Sequence, residues 1–288
     1  MESTVGSLVG DRYELVKPLS ITTMSRVFKA WDHQQEHFVV VKITTNSSEH
    51  YGLVERLKRE AIALKRLDHP RVVHLLDSGD VEESYFVVLE YIHGMNLAAC
   101  LYTTYLLPLD TAISIEVDML EGLEAIHKEG LVHRDLKPEN LMATRVGIKI
   151  IDFGLVKFVS AADRQMKQLT NPGTVFGTPQ YLSPEQALGL SDVDARSDLY
   201  TCGVILYELL TGVLPFYKIF EGGRLIRRWD LPMRPFSSIW PSVHAPIKVQ
   251  DIVWKALQAN PANRYQTAEE MRMDLLAVLG SYSKIIVP

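Results

Sequence analysis

One ordered series of short motifs runs through this chain: LVHRDLKPENLMA at 131–143, IKIIDFGL at 148–155, GTPQYLSPEQA at 177–187, SDLYTCGVILYELLTG at 197–212 and NPANRYQTAEE at 260–270. A lone DFG carries little information. The five together, in this order, constrain the fold far more than any one of them. Between the first two, the runs NLMA and IKII are joined by TRVG and read as a β-hairpin. The segment DLYTCGVILYELL is apolar nearly all round, which argues for a helix buried in the middle of its half of the chain.

Ahead of this series the pattern is different. From Arg12 to Ile92 the runs RYELVKPL, SRVFKAWD, HFVVVKI and SYFVVLEY are rich in β-branched and aromatic residues and read as strands. One helix interrupts them: in YGLVERLKREAIALKRL, Leu53, Leu57, Glu60, Leu64 and Leu67 recur at intervals of three or four. A carboxylate therefore sits within an apolar stripe, and burying it unpaired is expensive, so Glu60 needs a cation. Lys42 ends the strand HFVVVK on the same face as Val40 and is its natural partner. After the loop HGMN the chain becomes mainly helical, at about 97–106, 110–129, 184–190, 197–211 and in segments to 279. The expected organisation is an N-terminal extension over 1–11, a strand-rich lobe over 12–93, a helical lobe over 94–280 and a tail over 281–288.

Composition narrows the function. With 288 residues, 47% of them hydrophobic, the chain can build one large domain or two lobes with separate cores. A net charge of -5 and a pI near 6.0 provide no basic field, so nucleic acid is not an expected partner. Cys100 and Cys202 lack the close spacing of a zinc or redox pair, and two reduced thiols fit a cytoplasmic protein. MESTVGSLVGDRYEL does not have the order of a secretory signal. The longest apolar run, CGVILYELL, falls far short of the ~20 residues that span a bilayer, so no membrane segment is expected.

The motif series resembles the eukaryotic-type serine/threonine protein kinases, with RYEL, GTPQYLSPEQA, RSDLYTCGVILYELLTG and NPANRYQTA similar to their bacterial branch. The resemblance implies an α+β, two-lobed fold: a small antiparallel β-sheet lobe with one regulatory helix, and a larger, mainly α-helical lobe. It implies transfer of the γ-phosphoryl group of ATP, with Mg²⁺ or Mn²⁺, to serine and threonine hydroxyls of protein substrates. Asp135 then accepts the hydroxyl proton, Lys137 reaches the γ-phosphate, and Asn140 with Asp152 offers hard oxygen ligands to the metal. Lys42, paired with Glu60, faces the α- and β-phosphates. Val27 and Val40 above and Met142 below sandwich the adenine, Leu89 stands behind it, and the main chain of Glu90 and Ile92 meets its edge.

By the same resemblance His133 is a packing residue beside Phe153 and Leu64, and Thr178 bonds the catalytic aspartate and lysine. Arg134 marks members whose activation segment is phosphorylated, with Thr170 the first choice of site and Thr174 the second. Glu185 pairs with Arg264, and Asp198 holds the backbone of the catalytic loop. A homodimer for trans-autophosphorylation is compatible with this scheme.

One stretch departs from the family pattern. In PLSITTMSRVFKAWD, Leu19, Met24, Val27 and Ala30 match the phosphate-cradling loop, but Ser20, Thr22, Thr23 and Ser25 stand where glycines are usual. Glycine serves there because it tolerates φ > 0 and lets backbone N–H groups approach phosphate. Together with Val40, where alanine is usual, the replacements predict weaker ATP binding, and the alternative they raise is a pseudokinase acting as a nucleotide-binding or scaffold module. The intact set Lys42, Glu60, Asp135, Lys137, Asn140 and Asp152 favours a working enzyme.

Overall fold

The computed structural model describes residues 4–22, 25–44, 52–82, 84–104, 107–158, 178–216, 220–221, 224–225, 233–239 and 245–282. The chain divides into two units, Met1–His93 and Gly94–Pro288.

The first unit is a six-stranded antiparallel sheet with one helix. Its strands are β1 (Leu8–Val9), β2 (Tyr13–Ile21), β3 (Ser25–Asp32), β4 (His37–Thr44), β5 (Leu75–Val81) and β6 (Ser84–Glu90), in the order β1-β2-β3-β4-β6-β5, and α1 (Leu53–Lys65) intervenes between β4 and β5. Alternation along β4 separates two jobs. Val39, Val41 and Ile43 point into a core with Tyr13, Leu15, Phe28, Ala30, Phe86 and Val88, while Val40 and Lys42 lie on the opposite face. Register fixes what accompanies them there: Lys42 is opposite Val27 and Val87, and Val40 is opposite Lys29 and Leu89.

Two strands of this sheet are not announced by the sequence. The sheet begins at Leu8 rather than Arg12, because β1 pairs with β2 and buries Val9. β5, with the sequence LLDSGDV, carries two aspartates, a serine and a glycine, so it lacks strand propensity; it forms the sheet's edge, with only β6 to pair with.

The second unit contains β7 (Met95–Asn96), α2 (Leu97–Thr103), α3 (Leu109–Lys128), β8 (Leu131–Val132), β9 (Leu141–Thr144), β10 (Gly147–Ile150), β11 (Lys157–Phe158), α4 (Pro184–Ala187), α5 (Ala195–Thr211), β12 (Phe220–Glu221), β13 (Arg224–Leu225), α6 (Ile247–Ala256) and α7 (Ala268–Tyr282). The α5 helix is buried along nearly its whole length and packs on α3 and α6, and α3 also packs on α7 and β10. β9 and β10 form the expected hairpin, and β7 adds a third strand that the loop HGMN did not announce. Gly94 is required just before it: a Cβ there would stand 2.2 Å from the Ala143 carbonyl oxygen. The helix expected at 184–190 stops at Ala187, since Gly189 turns left-handed at φ 64° and its N–H closes on the Gln186 carbonyl. No helix among the described residues is long and apolar enough to cross a membrane.

Candidate active site

The first unit holds one half of the predicted site. On β4, Lys42 Nζ donates to both carboxylate oxygens of Glu60 from α1, at 2.9 and 2.7 Å. Glu60 is only 1% exposed, so this pairing supplies the cation that its place in the apolar stripe demands. Val27, Val40 and Leu89 share the sheet face of Lys42; Leu89 is buried, Val27 and Val40 half-buried. The Glu90 N–H donates to the His74 carbonyl at 3.1 Å, so this N–H is not the group that could serve the expected adenine contact. Ile92 is half-buried and Leu19 exposed.

The glycine-free loop closes as a hairpin through Thr22 and Ser25. The Thr22 hydroxyl donates to the Ser25 carbonyl and accepts the Ser25 N–H, both at 3.0 Å, and the Thr22 N–H donates to the same carbonyl at 3.0 Å. Neither Ser20, Thr22 nor Ser25 adopts a positive φ, so the backbone conformation that favours glycine is not called for at these three positions. The Thr22 hydroxyl both donates to and accepts from the Ser25 backbone. Thr23 and Met24 lie outside the described residues.

The second unit holds the other half, on the loop between β8 and β9. Lys137 Nζ lies 3.0 Å from Asp135 Oδ2 and donates to Thr178 Oγ1 at 3.1 Å, and the Thr178 N–H donates to Asp135 Oδ1 at 3.3 Å. The Asn140 amide donates to the Asp135 carbonyl at 2.8 Å and reaches its carboxylate at 3.3 Å. These bonds hold the Asp135 carboxylate in one orientation. Because Asn140 spends its nitrogen on Asp135, its remaining side-chain donor atom is an oxygen. That oxygen and the Asp152 carboxylate, which takes the Gly154 N–H at 3.1 Å, are hard donors that would suit a divalent cation. Among the described residues no cluster of three His, Cys, Asp or Glu side chains competes as a metal site. Met142, half-buried on β9, lies opposite Asn96 and Lys149.

His133 is fully buried against the Phe153 ring, 5.1 Å between centroids, and burial holds its pKa below the ordinary value. It is a neutral packing group. Arg134 has φ 70°, a left-handed conformation that costs a non-glycine residue roughly 1–2 kcal/mol. Asp198, from α5, accepts the N–H groups of both His133 and Arg134 at 2.9 Å and also meets His127 Nε2 at 2.9 Å. Two residues in this scaffold went unnoticed in the sequence. His127 is the penultimate residue of α3 and carries no motif signal; Gln186 stands beside Glu185 in SPEQA without a role of its own in the motif. The Gln186 side-chain amide donates to the Arg134 carbonyl at 2.7 Å.

Glu185 and Arg264 form a buried bidentate pair at 2.7 and 2.8 Å, with Ser197 Oγ donating to the same carboxylate. Burial pushes the Glu185 carboxyl up, but Arg264 and Ser197 outweigh it and leave the group below its usual value. Thr170 and Thr174 lie outside the described residues.

A family model described as protein kinase domain matches residues 13–276. Similar curated proteins include a probable serine/threonine-protein kinase of Clostridium perfringens, 35% identical over 276 residues that cover 94% of this chain and 39% of that protein. Serine/threonine-protein kinase PknB of Mycobacterium leprae is 37% identical over 276 residues, 94% of this chain and 43% of the other. A probable PknB of Lactococcus lactis is 33% identical over 279 residues, 94% and 42%. The chain spans less than half the length of each of these relatives.

Proposed function

Because the chain belongs to the protein kinase family, with bacterial serine/threonine kinases among its relatives, we propose that it transfers the γ-phosphoryl group of ATP to serine and threonine hydroxyls of protein substrates. The observation that carries this reading is the Asp135, Lys137 and Thr178 triangle, buttressed by Asn140.

In the proposed reaction the substrate hydroxyl oxygen bonds to the γ-phosphorus, the bridge from the γ-phosphorus to the β-phosphate oxygen breaks, and ADP leaves. Asp135 accepts the hydroxyl proton. Its carboxylate is fixed by Lys137 and by the Thr178 N–H, so little reorganisation is needed when the hydroxyl arrives. Lys137 presents its ammonium to the transferring phosphoryl group, and Lys42, oriented by Glu60, serves the α- and β-phosphates. Asn140 and Asp152 would hold a divalent cation, which we take to be Mg²⁺ or Mn²⁺; when bound, it neutralises phosphate charge. Thr178 favours serine and threonine acceptors over tyrosine. The pseudokinase alternative rested on the missing loop glycines and on Val40; a hairpin closed by Thr22 and Ser25 without left-handed backbone at either gives the first of these little weight.

We further place the chain in the cytoplasm, with Thr170 and Thr174 as candidate phosphosites read by Arg134 and a homodimer as the route to trans-autophosphorylation. The test is phosphate incorporation into the protein and a generic substrate with Mg²⁺-ATP over a wide ATP range, with Asp135→Ala as control and phosphopeptides read by mass spectrometry. Incorporation in the wild type alone is expected, with a specific rate that rises with protein concentration if transfer is in trans. Silence in both at saturating ATP would overturn the assignment.

A further inference from the structure

The peptide that carries Asp135 is held at both of its polar atoms. Its N–H donates to His133 Nδ1 at 3.3 Å, and its carbonyl, that of Arg134, accepts the Gln186 side-chain amide at 2.7 Å. The preceding N–H, that of Arg134, is bound to Asp198 Oδ1 at 2.9 Å. A left-handed non-glycine residue persists only where its surroundings over-determine it, and Asp198 and Gln186 do so from either side of Arg134.

Gln186 has a second bond that separates two explanations of its presence. It is the third residue of α4, and with Ser183 it forms a reciprocal cap: its Oε1 accepts the Ser183 N–H at 3.1 Å while Ser183 Oγ accepts the Gln186 N–H at 3.4 Å. A cap of this kind is served by glutamate as well as by glutamine, since only the acceptor oxygen is used. The donor end does something a cap does not need: it reaches a carbonyl 52 residues earlier in the chain. The residue is 8% exposed, so water is a poor substitute for either bond.

We infer that Gln186 is a positioning residue for phosphoryl transfer, its side-chain amide locking the Arg134 carbonyl so that the Asp135 carboxylate keeps its aim. The inference rests on the kinase reading for its consequence, and on geometry alone for the lock.

Gln186→Glu is the discriminating variant, because it keeps the acceptor for Ser183 and removes only the donor to Arg134. The expected result is a fall in kcat of about ten- to a hundredfold, with KM for ATP held within about twofold of wild type. A protonated carboxyl regains a donor, so the ratio of variant to wild-type kcat is expected to recover as pH is lowered from about 8 to about 6, a signature that loss of fold would not give. Amide exchange of the peptide covering 131–140 reads the lock without catalysis, and is expected to accelerate at His133 and Arg134 in the variant. Wild-type kcat in Gln186→Glu, or a deficit with no pH recovery and unchanged exchange, would overturn the proposal. Should that variant fail to fold, Gln186→Met, similar in volume and without either polar end, is read by the same kcat and exchange criteria. A wild type that transfers no phosphate sinks the kinase reading instead, and the exchange arm still decides the lock.

Discussion

Lys42 Nζ lies within 2.9 Å of both carboxylate oxygens of Glu60, which is almost fully buried. Removing one partner of such a pair costs more than the pair contributes, because the remaining charge stays buried without its counter-ion; the loss is about 3–5 kcal/mol. Lys42→Met is therefore expected to lower unfolding free energy by about 3 kcal/mol and phosphate incorporation by more than about a hundredfold. Lys42→Met combined with Glu60→Leu should recover much of the stability and none of the activity. Urea unfolding of the two variants, with a double variant no more stable than the single, would refute the account.

The Thr22 hydroxyl closes the hairpin between β2 and β3 through two bonds to the Ser25 backbone. In a glycine loop the turn is reached by conformational freedom; here it is reached by a side chain. Thr22→Val keeps the shape and loses both bonds, each worth about 1 kcal/mol in an accessible turn. KM for ATP is expected to rise by about fivefold, with kcat within about twofold. An unchanged KM in steady-state kinetics would show that Thr22 does not hold the loop.

The Glu185 and Arg264 pair makes a pH-dependent contribution whose sign follows from its shift. The Glu185 carboxyl is held below its ordinary value, so its stabilisation is fully present above the unfolded pKa of about 4.3 and is lost as pH falls through the folded value. Arg264→Leu is expected to cost about 3–5 kcal/mol at neutral pH and to shrink that part of the acid dependence. Thermal melts across the acid range check it, and an Arg264→Leu acid limb as steep as that of the wild type would count against this origin.

The parts legible in the sequence were those that a motif or a buried charge names. Lys42 with Glu60, Asp135 with Lys137, and Asp198 under the catalytic loop each follow from a residue whose chemistry demands a partner and a motif that names it. Gln186 was not legible, since SPEQ satisfies a helix cap locally and its other bond spans the chain to Arg134. His127 was hidden for the same reason: one histidine near a helix end carries no pattern, and only packing of α3 on α5 brings it to Asp198. β5 was missed because an edge strand can be held by pairing on one side despite aspartate, serine and glycine.

Glu116 is a fully buried carboxylate of the second unit that the site does not explain. It lies on α3, is fully buried, and neither oxygen has a hydrogen-bond partner of acceptable geometry. Burial pushes its pKa well above the usual value, and the nearby Cys202 thiol on α5, itself fully buried, offsets little of that. A carboxyl raised in the folded state favours folding most when it is protonated in both states, below the unfolded pKa of about 4.3. That contribution is lost progressively as pH rises towards the folded value. Wild-type stability should therefore decline as pH rises above about 4.3 relative to Glu116→Gln, which cannot ionise, and the variant should be the more stable of the two near neutral pH. Urea unfolding of both proteins at a series of pH values makes the comparison. Parallel curves for the two would mean that Glu116 is paired or solvated in the folded chain, and the buried neutral carboxyl would have to be abandoned.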